Sequence, residues 1–183
     1  MSLLDGILAH NARFVVARDR SITKGLGLSL KKIALFACMD RHLVEFLEPV
    51  MGIRRGDAVV VESAGSTLSD LDDSVIRSLV VAIFALGCEE VFVIGHRNSE
   101  LTQIDDVELT RKMVERGIPQ EAIAALQPSL RQWMGALLDP VGNIVQMVEM
   151  IRVNPLIPKN VPIHGMIFDP DSGRLELLTN GYS

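Results

Sequence analysis

The sequence predicts an α/β fold, in which a largely parallel central sheet is flanked by helices and ends in an antiparallel edge. Two short runs made only of apolar residues, 33–37 and 91–94, predict strands that are buried on both faces. Amphipathic helical patterns stand between these runs, and such alternation is typical of a parallel sheet. Near the end of the chain, a tight turn at 169–173 separates two further strand-like runs and predicts a hairpin.

Local patterns define each element in turn. In chain order, the sequence predicts a helix over residues 4–20, a strand ending at Cys38, a helix over 43–51, a strand over 58–61, a helix over 70–86, a strand over 88–94, helices over 105–116, 119–126 and 139–152, and strands over 163–168 and 174–179. The helix over 70–86 has a candidate N-cap in Asp70 or Asp72, and Gly87 follows its last turn. The first helix is amphipathic, so we expect its apolar face to be buried.

Composition narrows the class of protein. The chain has 183 residues, which favours one domain over 1–183, and its net charge of −5 argues against a general nucleic-acid binder. Its hydrophobic content of 48% leaves room for an oligomer interface. No apolar run reaches the roughly 18–20 residues that cross a bilayer. We see no signal peptide, and the two cysteines form no disulfide framework, so we expect a cytoplasmic protein.

Chemically active side chains follow two of the predicted strands. The run Cys38, Asp40, Arg41 and His42 comes at the end of the first strand, and His96 comes at the end of the third. The carboxyl ends of parallel strands meet at one edge of a sheet, which is where ligands bind in open α/β folds. A cysteine and a histidine at that edge suggest half of a zinc site.

Motifs in a fixed order carry a resemblance to a known family. They are Cys38-Met39-Asp40, Ala64-Gly65 after an apolar strand, Asp73 to Leu79, Gly87 after a helix, Val93-Ile94-Gly95-His96, and Ile163-His164-Gly165 leading to Asp169 and Gly173. Their order and spacing resemble the β-class carbonic anhydrases, above all the short members, over nearly the whole chain. The resemblance implies a β-carbonic anhydrase-like fold and a homodimer or higher homo-oligomer, with the helix over 4–20 as the dimerisation arm.

The resemblance also implies a zinc lyase. In that family a cysteine, a histidine and a second cysteine hold zinc, an Asp-Arg pair gates access, and a zinc-bound hydroxide attacks CO2. Residue by residue, Cys38 matches the first thiolate, His96 matches the imidazole, and Asp40 matches the gating carboxylate.

Several site positions depart from the family pattern. Ser99 stands where the second cysteine is expected, and His42 stands where the gating arginine is expected, with Arg41 one place early. The arginine of the family's Arg-Asn-Ala-Gly loop is replaced by Glu62, and the aspartate after the metal histidine is replaced by Asn98. A neutral hydroxyl is a poor zinc ligand, so Ser99 is a doubtful third position.

Two interpretations follow from these departures. In the first, Cys38 and His96 hold Zn2+ together with a substitute carboxylate, either Asp40 or Glu62, and the protein hydrates CO2 or a related small molecule such as COS or CS2. The catalytic candidates are then Asp40, Arg41 and His42. The alternative is a non-catalytic dimeric member of the family that has lost zinc.

Ordinary structural roles compete with some of these assignments. In the zinc-free alternative, Glu62 would pair with Arg41 or Arg97 in place of the metal charge. Ser99 suits a helix N-cap, and Cys88 is expected to be a structural residue.

Overall fold

A computed structural model describes residues 2–17, 31–54, 56–98 and 104–183, with no side-chain description for 17, 127–133 and 136. Ser99 and the last three residues of the predicted first helix lie outside the described residues. In chain order, the elements are α1 Leu3–Ala17, β1 Ile33–Cys38, α2 Arg41–Val50, β2 Ala58–Ser63, a 3-10 turn Ala64–Ser66, α3 Ser74–Phe84, β3 Glu90–His96, α4 Asp106–Glu115, α5 Gln120–Leu138, α6 Pro140–Val153, β4 Ile163–Asp169 and β5 Arg174–Thr179.

The five strands form one sheet in the order β2-β1-β3-β4-β5. The pairs β1/β2, β1/β3 and β3/β4 are parallel, and β4/β5 is antiparallel. The predicted α/β class, with its antiparallel C-terminal edge, is therefore confirmed. In the sheet register, Ala37 lies beside Glu62 on one neighbour and Ile94 on the other, so the carboxyl ends of the three strands share one edge.

Helices cover the central strands from both sides. On one side, Phe36 and Val93 belong to an apolar cluster completed by α3 and α6. On the other side, Leu35 and Ile94 belong to a second cluster, to which α2 contributes Leu43. Leu35 and Phe36 are neighbours in sequence, and both are 0% exposed. The double-sided burial that an all-apolar strand predicts is thus present.

Two helices, α2 and α3, begin two or more residues away from their predicted first residues. Helix α2 begins two residues early because Asp40 Oδ1 accepts a hydrogen bond from the His42 N–H at 3.0 Å, which makes Asp40 its N-cap. The N-cap of α3 is Asp73, which accepts from the Val75 N–H at 2.8 Å, and the prediction of Asp70 or Asp72 is wrong. Asp72 instead forms an ion pair with Arg77 on the first turn of the helix.

Helix α5 and strand β3 also differ in extent from their predictions. Helix α5 continues to Leu138, well beyond the predicted end at 126. Strand β3 spans Glu90–His96, so Cys88 precedes the strand and His96 is its last residue. None of the helices in the described ranges is long and apolar enough to cross a membrane.

Apolar side chains of α1 are largely exposed in the single chain. Those that stand out are Leu3, Leu4, Ile7, Leu8, Phe14, Val15 and Val16. The amphipathic pattern has therefore formed the predicted helix, but the described chain does not bury its apolar side chains.

Candidate active site

Two neighbouring parallel strands carry the predicted metal ligands to the same edge of the sheet. Cys38 is the last residue of β1 and His96 is the last residue of β3. Asp40 follows β1 directly and caps α2. All three residues are buried, with exposures of 1% for Cys38, 7% for Asp40 and 3% for His96. The edge therefore contains a buried group of ionisable side chains next to an aliphatic core.

Asp40 and His96 contact each other directly. The Asp40 Oδ2 atom lies 3.2 Å from His96 Nε2, while Oδ1 of the same carboxylate caps α2. The Nε2 atom makes no well-aligned hydrogen bond with any described group, so its contact with Asp40 is mainly electrostatic. Burial lowers the pKa of His96 below its ordinary value, and the nearby Asp40 charge opposes this shift only partly. The imidazole is therefore neutral at neutral pH, which is the form that binds metals.

The Cys38 sulfur is surrounded by backbone amides. It accepts a hydrogen bond from the Gly65 N–H at 3.3 Å, and the amides of Asp40 and Ser66 also stabilise its thiolate form. Burial is the larger effect, and it raises the pKa of the Cys38 thiol. An adjacent cation would favour the thiolate, because charge attraction compensates for lost hydration.

The turn that follows β2 is held tightly against this sulfur. Gly65 has φ +70°, and a Cβ atom there would lie 2.0 Å from Leu137 Cδ2, so the turn requires glycine. The Ser66 hydroxyl donates to the Ile94 carbonyl at 2.8 Å, which ties the turn to β3. Asn143 of α6 donates from Nδ2 to the Gly65 carbonyl at 2.9 Å.

Sequence reasoning did not identify Asn143. It lies on the buried side of α6, one helical turn before Met147, and is 4% exposed. A buried amide needs a hydrogen-bond partner. The presence of an asparagine among the apolar positions of the predicted helix was therefore the sequence signal that could have identified it.

The other predicted site residues are less buried than this group or lie outside the described residues. Arg41 and Glu62 are exposed, and His42 is partly exposed. Arg97 forms an ion pair with Glu176 at 3.1 Å, so the suggested pairing of Arg97 with Glu62 is wrong. The doubtful third ligand, Ser99, lies outside the described residues.

The donor chemistry of this edge fits zinc. Thiolate, imidazole and carboxylate are all zinc ligands in proteins, and His96 Nε2 has no aligned hydrogen bond for a metal to displace. Within 2–17, 31–54, 56–98 and 104–183, however, no three His, Cys, Asp or Glu side chains stand close enough together to hold a metal ion. Cys38 and His96 are therefore at the expected edge, without a third such ligand close to both of them among the described residues.

Comparisons with known proteins point to one family. A family model described as Carbonic anhydrase matches residues 33–175, from β1 into β5. The chain is 36% identical over 186 residues to the protein YtiB of Bacillus subtilis (strain 168), with 100% of both chains covered. It is 29% identical over 157 residues to a carbon disulfide hydrolase of Acidithiobacillus thiooxidans. This alignment covers 79% of this chain and 76% of that protein.

A solved structure is similar over the same extent. The crystal structure of the β-carbonic anhydrase TvaCA1 from Trichomonas vaginalis has a TM-score of 0.87 and 35% sequence identity, and the match covers 100% of both chains. The similarity thus includes α1 and the C-terminal hairpin as well as the central sheet.

Proposed function

The chain belongs to the β-carbonic anhydrase family, and from this premise we propose that it is a zinc lyase for the reversible hydration of CO2 or of a related small molecule such as COS or CS2. The observation that carries this proposal is the buried contact between Asp40 and His96 at 3.2 Å, at the sheet edge that also holds Cys38. Burying a carboxylate and an imidazole in an aliphatic core costs folding free energy, which suggests that the pair is kept for function.

Cys38 and His96 are the proposed protein ligands of zinc. When bound, zinc supplies a Lewis acid that lowers the pKa of a coordinated water toward 7. The backbone amides around Cys38 stabilise the thiolate that a ligand must provide. Burial keeps His96 neutral, with Nε2 facing the interior of the site.

Asp40 lies beside His96, and we propose it as the third ligand, which requires metal binding to draw Cys38, His96 and Asp40 closer together than they stand in the described chain. It is buried beside His96, whereas Glu62 is exposed on β2, and Ser99 offers only a hydroxyl. If Asp40 does not bind the metal, its Oδ2 is placed to accept a proton or a hydrogen bond from a water near His96. With one thiolate fewer than a two-cysteine site, we expect weaker zinc binding and low activity.

The substrate class follows from the family and from a relative. CO2, COS and CS2 are small, linear and uncharged, and each has an electrophilic central carbon that hydroxide attacks. The similarity to a carbon disulfide hydrolase supports including the sulfur-containing molecules.

We further propose that two copies associate through α1 in a reducing compartment such as the cytoplasm. The exposed apolar side chains of α1, including Ile7 at 57% and Leu8 at 59%, support an interface there. Free Cys38 and Cys88 are consistent with reducing conditions.

Metal analysis of protein purified without chelators tests the function. We expect zinc in the wild type, and we expect Cys38→Ala and His96→Ala to lose it. The matched control is Cys88→Ala, since Cys88 is the other buried cysteine and lies before β3, away from the edge that holds His96. Stopped-flow CO2 hydration and sulfide release from COS or CS2 then identify the substrate. A wild type without zinc and without any of these activities would support the non-catalytic alternative.

A further inference from the structure

Asn143 connects α6 to the loop that holds the candidate thiolate. It is 4% exposed, and its Nδ2 donates to the Gly65 carbonyl at 2.9 Å. The N–H of the same glycine donates to the Cys38 sulfur at 3.3 Å. Both polar backbone groups of Gly65 are therefore engaged, one by Asn143 and the other by Cys38.

The Asn143 amide has only one workable orientation. The Gly65 carbonyl accepts hydrogen bonds and cannot donate them, so the NH2 group must face it. The remaining Oδ1 atom is buried and has no hydrogen-bond partner among the described residues. Burying an acceptor without a partner is unfavourable, and the hydrogen bond that Nδ2 donates to the Gly65 carbonyl offsets this cost.

Other contacts leave the Gly65 turn little freedom to compensate. Ser66 has φ 55°, an uncommon value for a side-chain-bearing residue, and its hydroxyl is bound to the Ile94 carbonyl at 2.8 Å. Leu137 packs against the α-carbon of Gly65 so closely that no Cβ would fit. Without the Asn143 hydrogen bond, the partly buried Gly65 carbonyl would lose its side-chain partner, and the turn has little freedom to find another.

We infer that Asn143 is a positioning residue for the metal site: it holds the Gly65 carbonyl, and through the Gly65 α-carbon it keeps the N–H of the preceding peptide directed at the Cys38 sulfur. This inference rests on the proposed zinc function. Groups that orient a metal ligand through a hydrogen bond typically change metal affinity by about 10–100-fold when they are removed.

The chain offers a matched control at the other end of α6. Asn154 is 0% exposed, and its Nδ2 donates to the Leu71 carbonyl at 2.8 Å, so it is also a buried asparagine that binds a backbone carbonyl. It caps the C-terminal end of α6, whereas Asn143 lies in the first turn near the site. Replacing either residue by leucine removes a hydrogen bond to a backbone carbonyl, and Asn154→Leu also removes the bond that Asn154 Oδ1 accepts from the Leu156 N–H at 2.9 Å. Only Asn143 contacts the turn beside Cys38.

The experiment measures Zn2+ affinity by competition with a chromophoric chelator, and the sulfur-to-metal absorption band of the Co2+ form. We expect Asn143→Leu to bind Zn2+ about 10–100-fold more weakly than wild type and to show a shifted or weakened Co2+ band. Asn154→Leu should match the wild type in both measurements. Asn143→Gln, which keeps the amide, should recover part of the affinity.

The outcomes separate this inference from the proposed function. Wild-type affinity and an unchanged Co2+ band in Asn143→Leu, while Cys38→Ala loses both, would overturn the positioning role alone. A wild type that binds neither ion would overturn the zinc function and this role with it. If Asn143→Leu does not fold, Asn143→Ala and Asn143→Gln provide the same comparison with Asn154→Ala and Asn154→Gln.

Discussion

The Asp40 carboxylate and the His96 imidazole meet at 3.2 Å although they follow two different strands. One oxygen of Asp40 faces Nε2 of His96, and the other accepts from the N–H of His42. Asp40 therefore caps α2 and also places a negative charge beside His96, the candidate zinc ligand.

Replacing Asp40 separates these two roles. Asp40→Asn keeps an oxygen for the cap but removes the negative charge, so we expect nearly unchanged stability and a clear loss of zinc. Asp40→Ala should lose zinc and also about 1 kcal/mol of stability, which is typical of a lost N-cap. Urea unfolding and metal analysis measure the two effects.

The N-cap of α4 supplies the control for that comparison. Asp105 accepts from the Glu108 N–H at 2.7 Å, so Asp105→Ala removes the cap of a helix that supplies none of the candidate metal ligands. It should reduce stability and leave zinc content unchanged. Full zinc content in Asp40→Asn would exclude the carboxylate as a metal ligand.

Restoring the family's second thiolate should strengthen metal binding. Ser99→Cys places a strong zinc ligand at the position where the family has one, so we expect higher metal content and tighter Zn2+ binding than in the wild type. The same substitution in a Cys38→Ala background should give no gain. Unchanged metal content in the single variant would show that the chain near residue 99 has departed from the family geometry.

A side chain at Gly65 should be costly. Gly65→Ala combines a left-handed backbone, which costs about 1–2 kcal/mol, with a Cβ only 2.0 Å from Leu137 Cδ2. Overpacking typically adds about 1–3 kcal/mol. Gly87→Ala is the control, since Gly87 has φ +72° but nothing within 4 Å of the added Cβ. Equal losses in urea unfolding would contradict the close contact with Leu137.

His164 should make the protein less stable in mild acid. Its Nδ1 accepts from the Gly181 N–H at 3.1 Å, so this nitrogen must be unprotonated, and its Nε2 lies 3.5 Å from Glu90 Oε2. Burial lowers the pKa of His164 below 6.5; the Glu90 charge opposes this shift, and the positive charge of Arg152 adds to it. Tyr182 packs its ring edge against the imidazole and donates to Glu90.

The sign of the pH dependence follows from linkage. The unfolded chain binds a proton at His164 more readily than the folded chain does, so the free energy of unfolding falls as pH drops below 6.5. His96 has a lowered pKa as well and contributes in the same direction. His164→Gln should therefore flatten the pH dependence of urea unfolding without abolishing it. An identical slope in wild type and variant would contradict a buried, neutral His164.

The exposed face of α1 should control assembly. Ile7→Glu places a charge on this face, so we expect light scattering to show a lower mass than for the wild type. Val107→Glu is the control, because Val107 is 73% exposed on α4.

Deleting residues 1–20 should yield an unstable or aggregating chain, since the surface that α1 covers on its partner would be exposed. A soluble, folded monomer after deletion would count against this interface.

Local patterns predicted the elements where the signal was unambiguous. The apolar run that ends at Cys38 predicted β1, and the turn before Arg174 predicted β5 with its observed bounds. The sequence predicted Asp70 or Asp72 as the N-cap of α3, and the fold shows that the cap is Asp73. Asp72 has the same side chain, but it forms an ion pair with Arg77.

By itself, the sequence determined which segments are strands and helices, their order, the family, and the arrival of Cys38 and His96 at one edge. These follow from side-chain period and motif spacing, which are properties of neighbouring residues. Only the tertiary structure decided that Asp40 faces His96, and that Asn143 reaches the Gly65 peptide beside Cys38. Such contacts join residues far apart in the chain, and they depend on strand register and helix packing that no local pattern encodes.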